Sequence, residues 1–300
     1  MGFKSGFVCI AGLPNAGKST LINRVLESKL LAVSDKPQTT RNNILGIFTS
    51  KDAQIIFIDT PGYHNIQKEI NKFYVNEAVS ASNKADLVVY LFDAKESLSK
   101  RLVLNDEFIT EILKKKDREK ILPVVSKVDL LRPEQFLKLK KRLSEQYGFN
   151  EDKILGVSVP KSVGVAELLL KIKETLPEGP MYYAEDDLTD RNLRFLCAEL
   201  IREKIFLFTK EEIPYSTAVQ ITKYEEKSAL HRIFADIYVE KDTQKGIIVG
   251  SNGSMIKKIG SAARKDIEEL VDSKVYLELF VKVKKDWTKD KEFLKELGYK

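Results

Sequence analysis

The chain has 300 residues and a hydrophobic content of 43%, which is enough for the cores of about two domains. Its two cysteines are far apart and lack metal or redox spacing, so they favour reduced core residues of a cytoplasmic protein over a disulfide framework. No apolar stretch approaches the roughly 18 residues of a membrane span, no signal-peptide pattern is visible, and a net charge of +6 is compatible with an anionic partner without identifying one.

Residues 1–178 alternate short apolar runs with longer amphipathic ones, a pattern typical of an α/β domain with a mostly parallel sheet and helices on both faces. It predicts strands at Phe7–Ala11, Ile44–Thr49, Gln54–Asp59, Leu87–Asp93, Ile121–Ser126 and Ile154–Val157. It predicts helices near residues 17–27, 69–83, 102–116, 133–146 and 164–175. Because ligands of such sheets gather at the carboxyl ends of the strands, we expect the functional residues there.

Residues 12–20 read Gly-Leu-Pro-Asn-Ala-Gly-Lys-Ser-Thr, a complete phosphate-binding loop between a predicted strand and a predicted helix. Its glycines let backbone N–H groups converge at the positive end of the helix dipole, where a nucleoside triphosphate fits. We expect Lys18 to reach the β- and γ-phosphates and Ser19 to coordinate Mg²⁺. The predicted phosphate-binding residues are Gly12, Asn15, Ala16, Gly17, Lys18, Ser19 and Thr20.

Asp59 ends the third predicted strand and is followed by Thr60-Pro61-Gly62. In an enzyme with a phosphate-binding loop, a strand-end Asp holds Mg²⁺ through water and a Gly N–H can sense the γ-phosphate. The polar segment 36–41 lies between the two motifs, and there Thr40, favoured over Thr39, could join the magnesium shell only when triphosphate is bound. An ordinary polar loop is the alternative for this segment. The predicted catalytic residues are therefore Lys18, Thr40, Asp59 and Gly62.

Base recognition is predicted after the fifth and sixth strands. The chain reads Ser126-Lys127-Val128-Asp129 after the fifth, and an Asp carboxylate can accept the N1 and exocyclic amino hydrogens of guanine, which adenine does not present. Asp129 therefore favours GTP over ATP. Ser158-Val159-Pro160-Lys161 follows the sixth strand, with the Val159 N–H expected to face the guanine oxygen. The predicted base-binding residues are Ser126, Lys127, Asp129, Ser158 and Val159.

Helix breakers and charges over residues 179–190 predict a linker, which separates domain 1–178 from domain 191–300. The second domain begins with a helical pattern at 191–208, followed by period-two runs at Thr217–Tyr224 and Arg232–Val239. A helix, a Gly-x-x-Gly loop, a second helix at Ile256–Val271 and a strand at Lys274–Asp286 follow, and Trp287 precedes a terminal helix. This is the order of an α+β KH domain, whose loop clamps about four single-stranded nucleotides.

Charge around the Gly-rich loop supports an RNA-binding role. Residues 181–300 contain 22 basic and 22 acidic residues, but residues 241–265 contain six basic residues and one acidic residue, Asp242. A phosphate backbone would be attracted there, although a solvated helix face is the alternative. The predicted RNA-binding residues are Lys245, Gly246, Gly250, Ser251, Asn252, Gly253, Lys257, Lys258 and Arg264.

Over nearly its whole length the chain resembles the Era family of Ras-like GTPases, on the motifs above and on the segment Pro37-Gln38-Thr39-Thr40-Arg41. The resemblance implies a P-loop GTPase domain followed by a type II KH domain, with GTP or GDP and Mg²⁺ as ligands. It implies binding to the single-stranded 3′ end of 16S ribosomal RNA and a role in maturation of the 30S subunit. It further implies a cytoplasmic monomer that does not bind DNA, with weak peripheral association at the inner face of the membrane left open, since no lipidation motif is evident.

Departures at Ser126, Tyr63, Ser251 and Asn252 qualify this resemblance, and Asn15 adds a further expectation. Ser126 replaces the Asn that GTPases normally carry, which lowers the expected affinity for guanine, and Tyr63 stands where Ras-like enzymes often hold a Gln that orients water. Ser251 and Asn252 replace the basic residues usual in KH loops, so phosphate attraction is expected to be weaker. In related GTPases an Asn at the position of Asn15 coordinates K⁺. This makes Asn15 a candidate potassium ligand and a fifth predicted catalytic residue, and it predicts slow, potassium- and RNA-stimulated hydrolysis.

Two alternatives remain. Ser126 and the missing Gln favour an RNA-binding assembly factor that uses guanine nucleotide as a conformational ligand with little hydrolysis. An ATPase in RNA remodelling is disfavoured by Asp129 and by the lack of helicase motifs.

Overall fold

A computed structural model describes residues 2–33, 44–59, 79–98, 107–210, 213–214, 216–227 and 229–296. The chain divides into two compact units. The first unit comprises residues 1–27 and 43–190, and the second comprises residues 28–42 and 191–300.

The first unit is built on a sheet with the strand order β2-β3-β1-β4-β5-β6. These strands are β1 Lys4–Gly12, β2 Ile44–Thr49, β3 Ala53–Asp59, β4 Leu87–Asp93, β5 Ile121–Ser126 and β6 Leu155–Val157. Only the edge strand β2 runs antiparallel to its neighbour among these pairings. The central strands are buried on both faces, as a parallel sheet covered by helices requires, and the predicted α/β class is confirmed.

Helices of the first unit pack against this sheet. They are α1 Lys18–Leu26, α2 Ala94–Leu98, α3 Glu107–Lys115, α4 Pro133–Tyr147 and α5 Val165–Thr175, and residues 79–84 are also helical. One core lies where Tyr90 and Phe92 of β4 meet Phe108 of α3 and Leu139 of α4, all buried. The predicted helices 69–83 and 102–116 lie partly outside the described residues, which begin at 79 and 107 in these regions.

Strand register determines which residues share the functional edge of the sheet. Ile10 of β1 pairs with Asp59 of β3, so the phosphate-binding loop begins beside the end of β3. Farther along the sheet, Ser126 of β5 pairs with Asp93 of β4 and with Val157 of β6. The carboxyl ends of β1, β3, β4, β5 and β6 therefore bring the predicted nucleotide motifs to one edge.

The segment 179–190, expected to be a linker, lies along the first unit. The side-chain oxygen of buried Gln54 accepts hydrogen bonds from the backbone N–H groups of Tyr182 and Tyr183, at 2.7 and 3.1 Å. The backbone N–H of Ile47 donates to the carbonyl of Leu188 at 2.9 Å. These bonds give partners to the buried Gln54 side chain and to a backbone N–H of the edge strand β2. The polar composition of the segment did not indicate either contact.

The second unit combines helices with the sheet β7-β8-β9, in which β9 runs parallel to β8. Its elements are α6 Leu193–Phe208, β7 Ala218–Lys227, β8 Leu230–Val239, α7 Asp242–Val249, α8 Ser254–Val271, β9 Lys274–Val283 and α9 Lys291–Glu296. Ile233, Ala235 and Ile237 on one face of β8 belong to the core of this unit. The order and the parallel third strand agree with the predicted type II KH fold, which is confirmed.

Two features of the second unit differ from the sequence pattern. The last strand ends at Val283 rather than Asp286, because the chain turns at Asp286, with φ of 52°, to bring Trp287 into a small apolar cluster with Ala218 and Phe293. Residues 28–33 also belong to this unit: Lys29 Nζ lies 3.1 Å from Glu203 Oε1 and 2.6 Å from Asp266 Oδ2. These charges are distant in sequence, so spacing could not pair them.

Candidate functional site

The loop after β1 has the backbone conformation that a phosphate site needs. Gly12 has φ of 146°, and a Cβ there would lie 2.6 Å from the Leu91 carbonyl oxygen, so only glycine fits. Asn15 and Gly17 also have positive φ, of 62° and 92°. No side chain caps the start of α1 at Gly17, which leaves the helix N-terminus available to an anion.

Lys18 is a buried cation held against this loop. Its Nζ donates to the carbonyl oxygens of Gly12 and Leu13, each at 3.1 Å. Burial lowers the pKa of Lys18 from its ordinary value, and the negative charge of Asp59 partly offsets that effect. A phosphate group would offer this ammonium a charged partner in place of two neutral carbonyls.

Ser19 and Asp59 meet beneath the loop. The Ser19 hydroxyl donates to Asp59 Oδ2 at 2.7 Å, and Asp59 is fully buried. Hydroxyl and carboxylate oxygens are the ligands that Mg²⁺ prefers, and Mg²⁺ in phosphate sites uses one or two protein ligands together with water and substrate oxygens. The pair fits such an ion. Within the described part of the chain, no group of three or more His, Cys, Asp or Glu residues that could hold a metal occurs.

Several predicted residues cannot be placed. Thr40 with its segment 36–41, and Gly62 with the neighbouring Tyr63, lie outside the described residues. Their predicted roles in sensing the γ-phosphate and positioning water stay predictions.

The segment after β5 forms a tight turn at the functional edge. Ser126 is buried, and its hydroxyl donates to the Phe92 carbonyl over a long 3.4 Å. Lys127 has φ of 58°, unusual for a residue other than glycine, and the Leu130 N–H donates to its carbonyl at 3.0 Å. Asp129 lies exposed within this turn, so its carboxylate is accessible to a base.

The segment after β6 lies beside it. The buried Ser158 exchanges backbone hydrogen bonds with Val163, both at 3.0 Å, and the Ser158 hydroxyl accepts a long hydrogen bond from the Lys161 N–H at 3.4 Å. Val159 is half-buried. The short loop is therefore closed by its own backbone. Because Ser126 pairs with Val157, the turns after β5 and β6 are neighbours at this edge of the sheet.

Asp93, at the end of β4, is a member of this edge that the sequence reasoning missed. Its Oδ2 lies 2.6 Å from Lys127 Nζ. The sequence did carry a signal for Asp93: it is an acidic residue at the carboxyl end of a predicted strand, and other predicted strands of this sheet end in predicted site residues. The sequence alone did not show that Asp93 and Lys127 would meet.

The Gly-rich loop of the second unit joins α7 to α8. Gly250 and Gly253 have φ of 72° and 75°, and Asn252 has φ of 49°. A Cβ at Gly250 would lie 2.7 Å from the Cβ of Met255, so the loop has no space for a side chain there. Ser251 and Asn252 are exposed, which leaves the backbone of the loop open to a ligand.

The predicted RNA-binding cations lie around this loop with different surroundings. Lys257 and Arg264 are exposed on α8, whose other face buries Ile259, Ala263 and Ile267. Lys258 is placed over the Phe208 ring, 4.4 Å from its centroid, which constrains it more than a solvated lysine. On α7, Lys245 and Gly246 are exposed.

Comparisons with known proteins agree across the chain. A family model described as 50S ribosome-binding GTPase matches residues 7–127, and a KH domain model matches residues 212–288. GTPase Era from Geobacter metallireducens is 46% identical, with 99% of this chain and 98% of the relative covered. GTPase Era from Thermotoga maritima is 48% identical, with 100% of this chain and 99% of the relative covered.

Two solved structures have the same architecture as this chain. One is Era in complex with MgGDPNP and nucleotides 1506–1542 of 16S ribosomal RNA, and it is 34% identical, with a TM-score of 0.88 and coverage of 99% of both chains. The other, a tyrosine-to-alanine variant of Aquifex aeolicus Era bound to GDP·AlF₄⁻, has the same identity of 34%, TM-score of 0.88 and coverage of 99% of both chains.

Proposed function

This chain belongs to the Era family of GTPases, and we propose that it binds and hydrolyses GTP while binding the single-stranded 3′ end of 16S ribosomal RNA during maturation of the 30S subunit. The observation that carries the nucleotide half is the hydrogen bond between Ser19 and Asp59 beneath the phosphate-binding loop. The RNA half depends on the exposed Gly-rich loop and on the solved Era complex with that RNA.

We assign the phosphate groups of GTP to the loop 12–20 and to the N-terminus of α1. Lys18 would exchange the carbonyls of Gly12 and Leu13 for the β- and γ-phosphates. Ser19 would bind Mg²⁺ directly and Asp59 would hold it through water. The magnesium ion supplies charge neutralisation when bound, and the low-dielectric surroundings of Lys18 make its own charge more effective.

Three further residues are proposed to act in the triphosphate state. Thr40 would join the magnesium shell, and the Gly62 N–H would sense the γ-phosphate. Asn15, whose positive φ directs the loop at this point, is the candidate potassium ligand. With Tyr63 in place of a water-orienting Gln, hydrolysis is expected to be slow and to depend on this monovalent cation.

We propose that the turn after β5 recognises guanine. Asp129 is exposed at the functional edge and would accept the two donors of the guanine edge. Lys127 and the loop of Ser158 and Val159 would complete the base site. The Ser126 hydroxyl makes a long hydrogen bond to the Phe92 carbonyl, at 3.4 Å, where the longer amide of an Asn would provide more contacts, which supports the expectation of lowered guanine affinity.

We propose that the loop 250–253 clamps the RNA backbone, with Lys245, Gly246, Lys257, Lys258 and Arg264 around it. The four cations supply a positive field that depends on ionic strength. The exposed amides of Ser251 and Asn252 would hold phosphates in the absence of a basic side chain at these positions.

The decisive experiment measures GTP turnover in potassium buffer with Mg²⁺, with and without an oligonucleotide matching the 3′ end of 16S ribosomal RNA. Stimulation by this oligonucleotide, absent for a scrambled one of the same composition, is the expected result. Turnover that neither RNA changes would disprove the coupling. Absence of turnover despite nucleotide binding would favour the second function.

That second function is an RNA-binding assembly factor for which guanine nucleotide is a conformational ligand with little hydrolysis. The long Ser126 contact and the absence of a Gln at position 63 favour it. A variant that binds GTP and GDP as the wild type does, hydrolyses no GTP and keeps full function in cells would support this alternative. Lys18→Ala does not separate the two functions, because loss of phosphate binding would impair both.

The protein is proposed to act in the cytoplasm as a monomer, with 16S ribosomal RNA rather than DNA as its nucleic acid. Among the described helices, none is long and apolar enough to cross a membrane. Weak peripheral binding at the inner face of the membrane is a separate hypothesis, tested by sedimentation with anionic lipid vesicles.

A further inference from the structure

A partly shielded ion pair links the ends of β4 and β5. Lys127 Nζ lies 2.6 Å from Asp93 Oδ2, and the side chains are 39% and 5% exposed. Lys127 follows Ser126 directly and lies two residues before Asp129, within the turn to which we assign guanine recognition. Its shielding distinguishes it from the exposed pairs of the first unit, such as Lys171–Glu174, which contribute little.

Asp93 is itself held in place by the backbone. Its Oδ1 accepts from the N–H groups of Lys95 and Glu96, at 2.9 and 3.0 Å, where α2 begins. Its register partner in β5 is Ser126. The Asp93 carboxylate is thus held in one position at the sheet edge: one oxygen accepts hydrogen bonds from the start of α2, and the other pairs with Lys127.

Lys127 has a backbone conformation that neighbouring contacts must stabilise. Its φ of 58° is costly for a residue with a Cβ and persists only where surrounding contacts impose it. The turn that carries Asp129 begins here, because the Leu130 N–H donates to the Lys127 carbonyl at 3.0 Å. The side chain of the preceding Ser126 makes a long hydrogen bond, at 3.4 Å to the Phe92 carbonyl, and so restrains the turn weakly.

We propose that Asp93 is a positioning residue for nucleotide recognition: by holding Lys127, it fixes the turn that presents Asp129 to guanine and takes over part of the restraint that an Asn at position 126 would provide. Burial and the negative charge of Asp93 raise the pKa of the neighbouring Glu96, while Lys127 acts against this rise. The inference rests on the proposed base-binding role of Asp129.

The test is a double-mutant cycle on GDP affinity with Asp93→Asn and Lys127→Met. Asn still caps a helix, and Met keeps the aliphatic stem of Lys127, so each change removes charge with little else. Asp93→Asn is expected to weaken GDP binding on the order of tenfold in the wild type, and less than about twofold when Lys127 is already Met. In the background Ser126→Asn, the cost of Asp93→Asn should also shrink.

Asp152→Asn is the matched control, because Asp152 is exposed at the opposite end of β6 and should leave GDP binding unchanged. An equal cost of Asp93→Asn in both Lys127 backgrounds, or a cost no larger than that of the control, would overturn the proposal and leave Asp93 as a helix cap. The thermal midpoint without nucleotide separates misfolding from loss of positioning. Asp129→Asn is measured alongside, because unchanged GDP binding in that variant would reject the base site itself.

Discussion

At the residue scale, Lys18 illustrates how burial prepares a side chain for a ligand. Its ammonium is satisfied by two carbonyl oxygens of its own loop, while burial lowers its pKa. Because burial disfavours the ammonium, a charged phosphate would stabilise it more than the two neutral carbonyls do. A similar arrangement is seen at Ser19 and Asp59, whose mutual hydrogen bond holds together the two oxygens that we propose bind Mg²⁺.

Asp129→Asn should change base preference. The amide can donate to the C2 carbonyl of xanthine but cannot accept both donors of guanine, so GDP affinity should fall at least about tenfold and XDP should bind better than in the wild type. Competition of each nucleotide against labelled GDP or XDP measures this. An unchanged GDP to XDP preference would contradict the role of Asp129, and Asp152→Asn again serves as control.

Asn15→Asp should alter the dependence of turnover on the monovalent cation. Asp tolerates the φ of 62° at this position about as well as Asn, so the backbone of the loop should be retained. We expect the ratio of GTPase rates in K⁺ and Na⁺ to change, while binding of GDP with Mg²⁺ changes less. Equal wild-type rates in the two buffers would remove the potassium hypothesis.

At the element scale, two helices and a turn of three residues create the proposed RNA site. Buried Ile259, Ala263 and Ile267 fix one face of α8 on the core, so Lys257 and Arg264 are left on the solvent face. Gly250 provides the sharp change of direction between α7 and α8. The arrangement follows from helical periodicity and from one position without a side chain.

Gly250→Ala should disrupt the loop. The new methyl would lie 2.7 Å from the Cβ of Met255, and the alanine backbone would have an unfavourable φ of 72°. We therefore expect RNA affinity to fall by tenfold or more, a loss of about 1.4 kcal/mol of binding free energy. Gly148→Ala is the control for a positive-φ glycine outside this loop: its φ is also 72°, with ψ of 25° instead of 173°, and it lies in the first unit. RNA binding by fluorescence anisotropy measures the effect, and a similar RNA affinity for both variants would argue against the loop.

Lys257 and Arg264 should act through charge rather than base recognition. Replacing both by Ala should weaken binding to all single-stranded sequences and reduce the slope of log K against log salt by about 1 to 2. Lys114→Ala, an exposed cation of the first unit, is the control. A loss of affinity that salt does not alter would contradict an electrostatic role.

At the scale of the whole molecule, GTP hydrolysis and RNA binding can be coupled only by differential affinity. If RNA binds the GTP state more tightly than the GDP state by some factor, it must raise the ratio of GTP to GDP affinity by the same factor. Titrating RNA in the presence of GDP or a non-hydrolysable GTP analogue, and the nucleotides with and without RNA, tests this equality. Equal RNA affinities in both nucleotide states would exclude thermodynamic coupling.

Sequence patterns sufficed wherever neighbours along the chain decide the structure. Apolar runs rich in β-branched residues located Ile44–Thr49, Leu87–Asp93 and Ile121–Ser126 with the bounds observed. Motif order also brought the loop 12–20, Asp59 and Asp129 to one sheet edge, because parallel strands share their carboxyl ends. Short stretches of sequence are enough to predict local motifs and the positions of strands.

The tertiary structure decided the contacts between residues distant in the sequence. Asp93 meets Lys127, and Lys29 meets Glu203 and Asp266, yet no periodicity links these positions. Gln54 similarly brings Tyr182 and Tyr183 onto the sheet, where a polar linker was expected. Such pairings depend on which elements pack together and on the cost of burying an unpaired polar group, and both are properties of the folded chain alone.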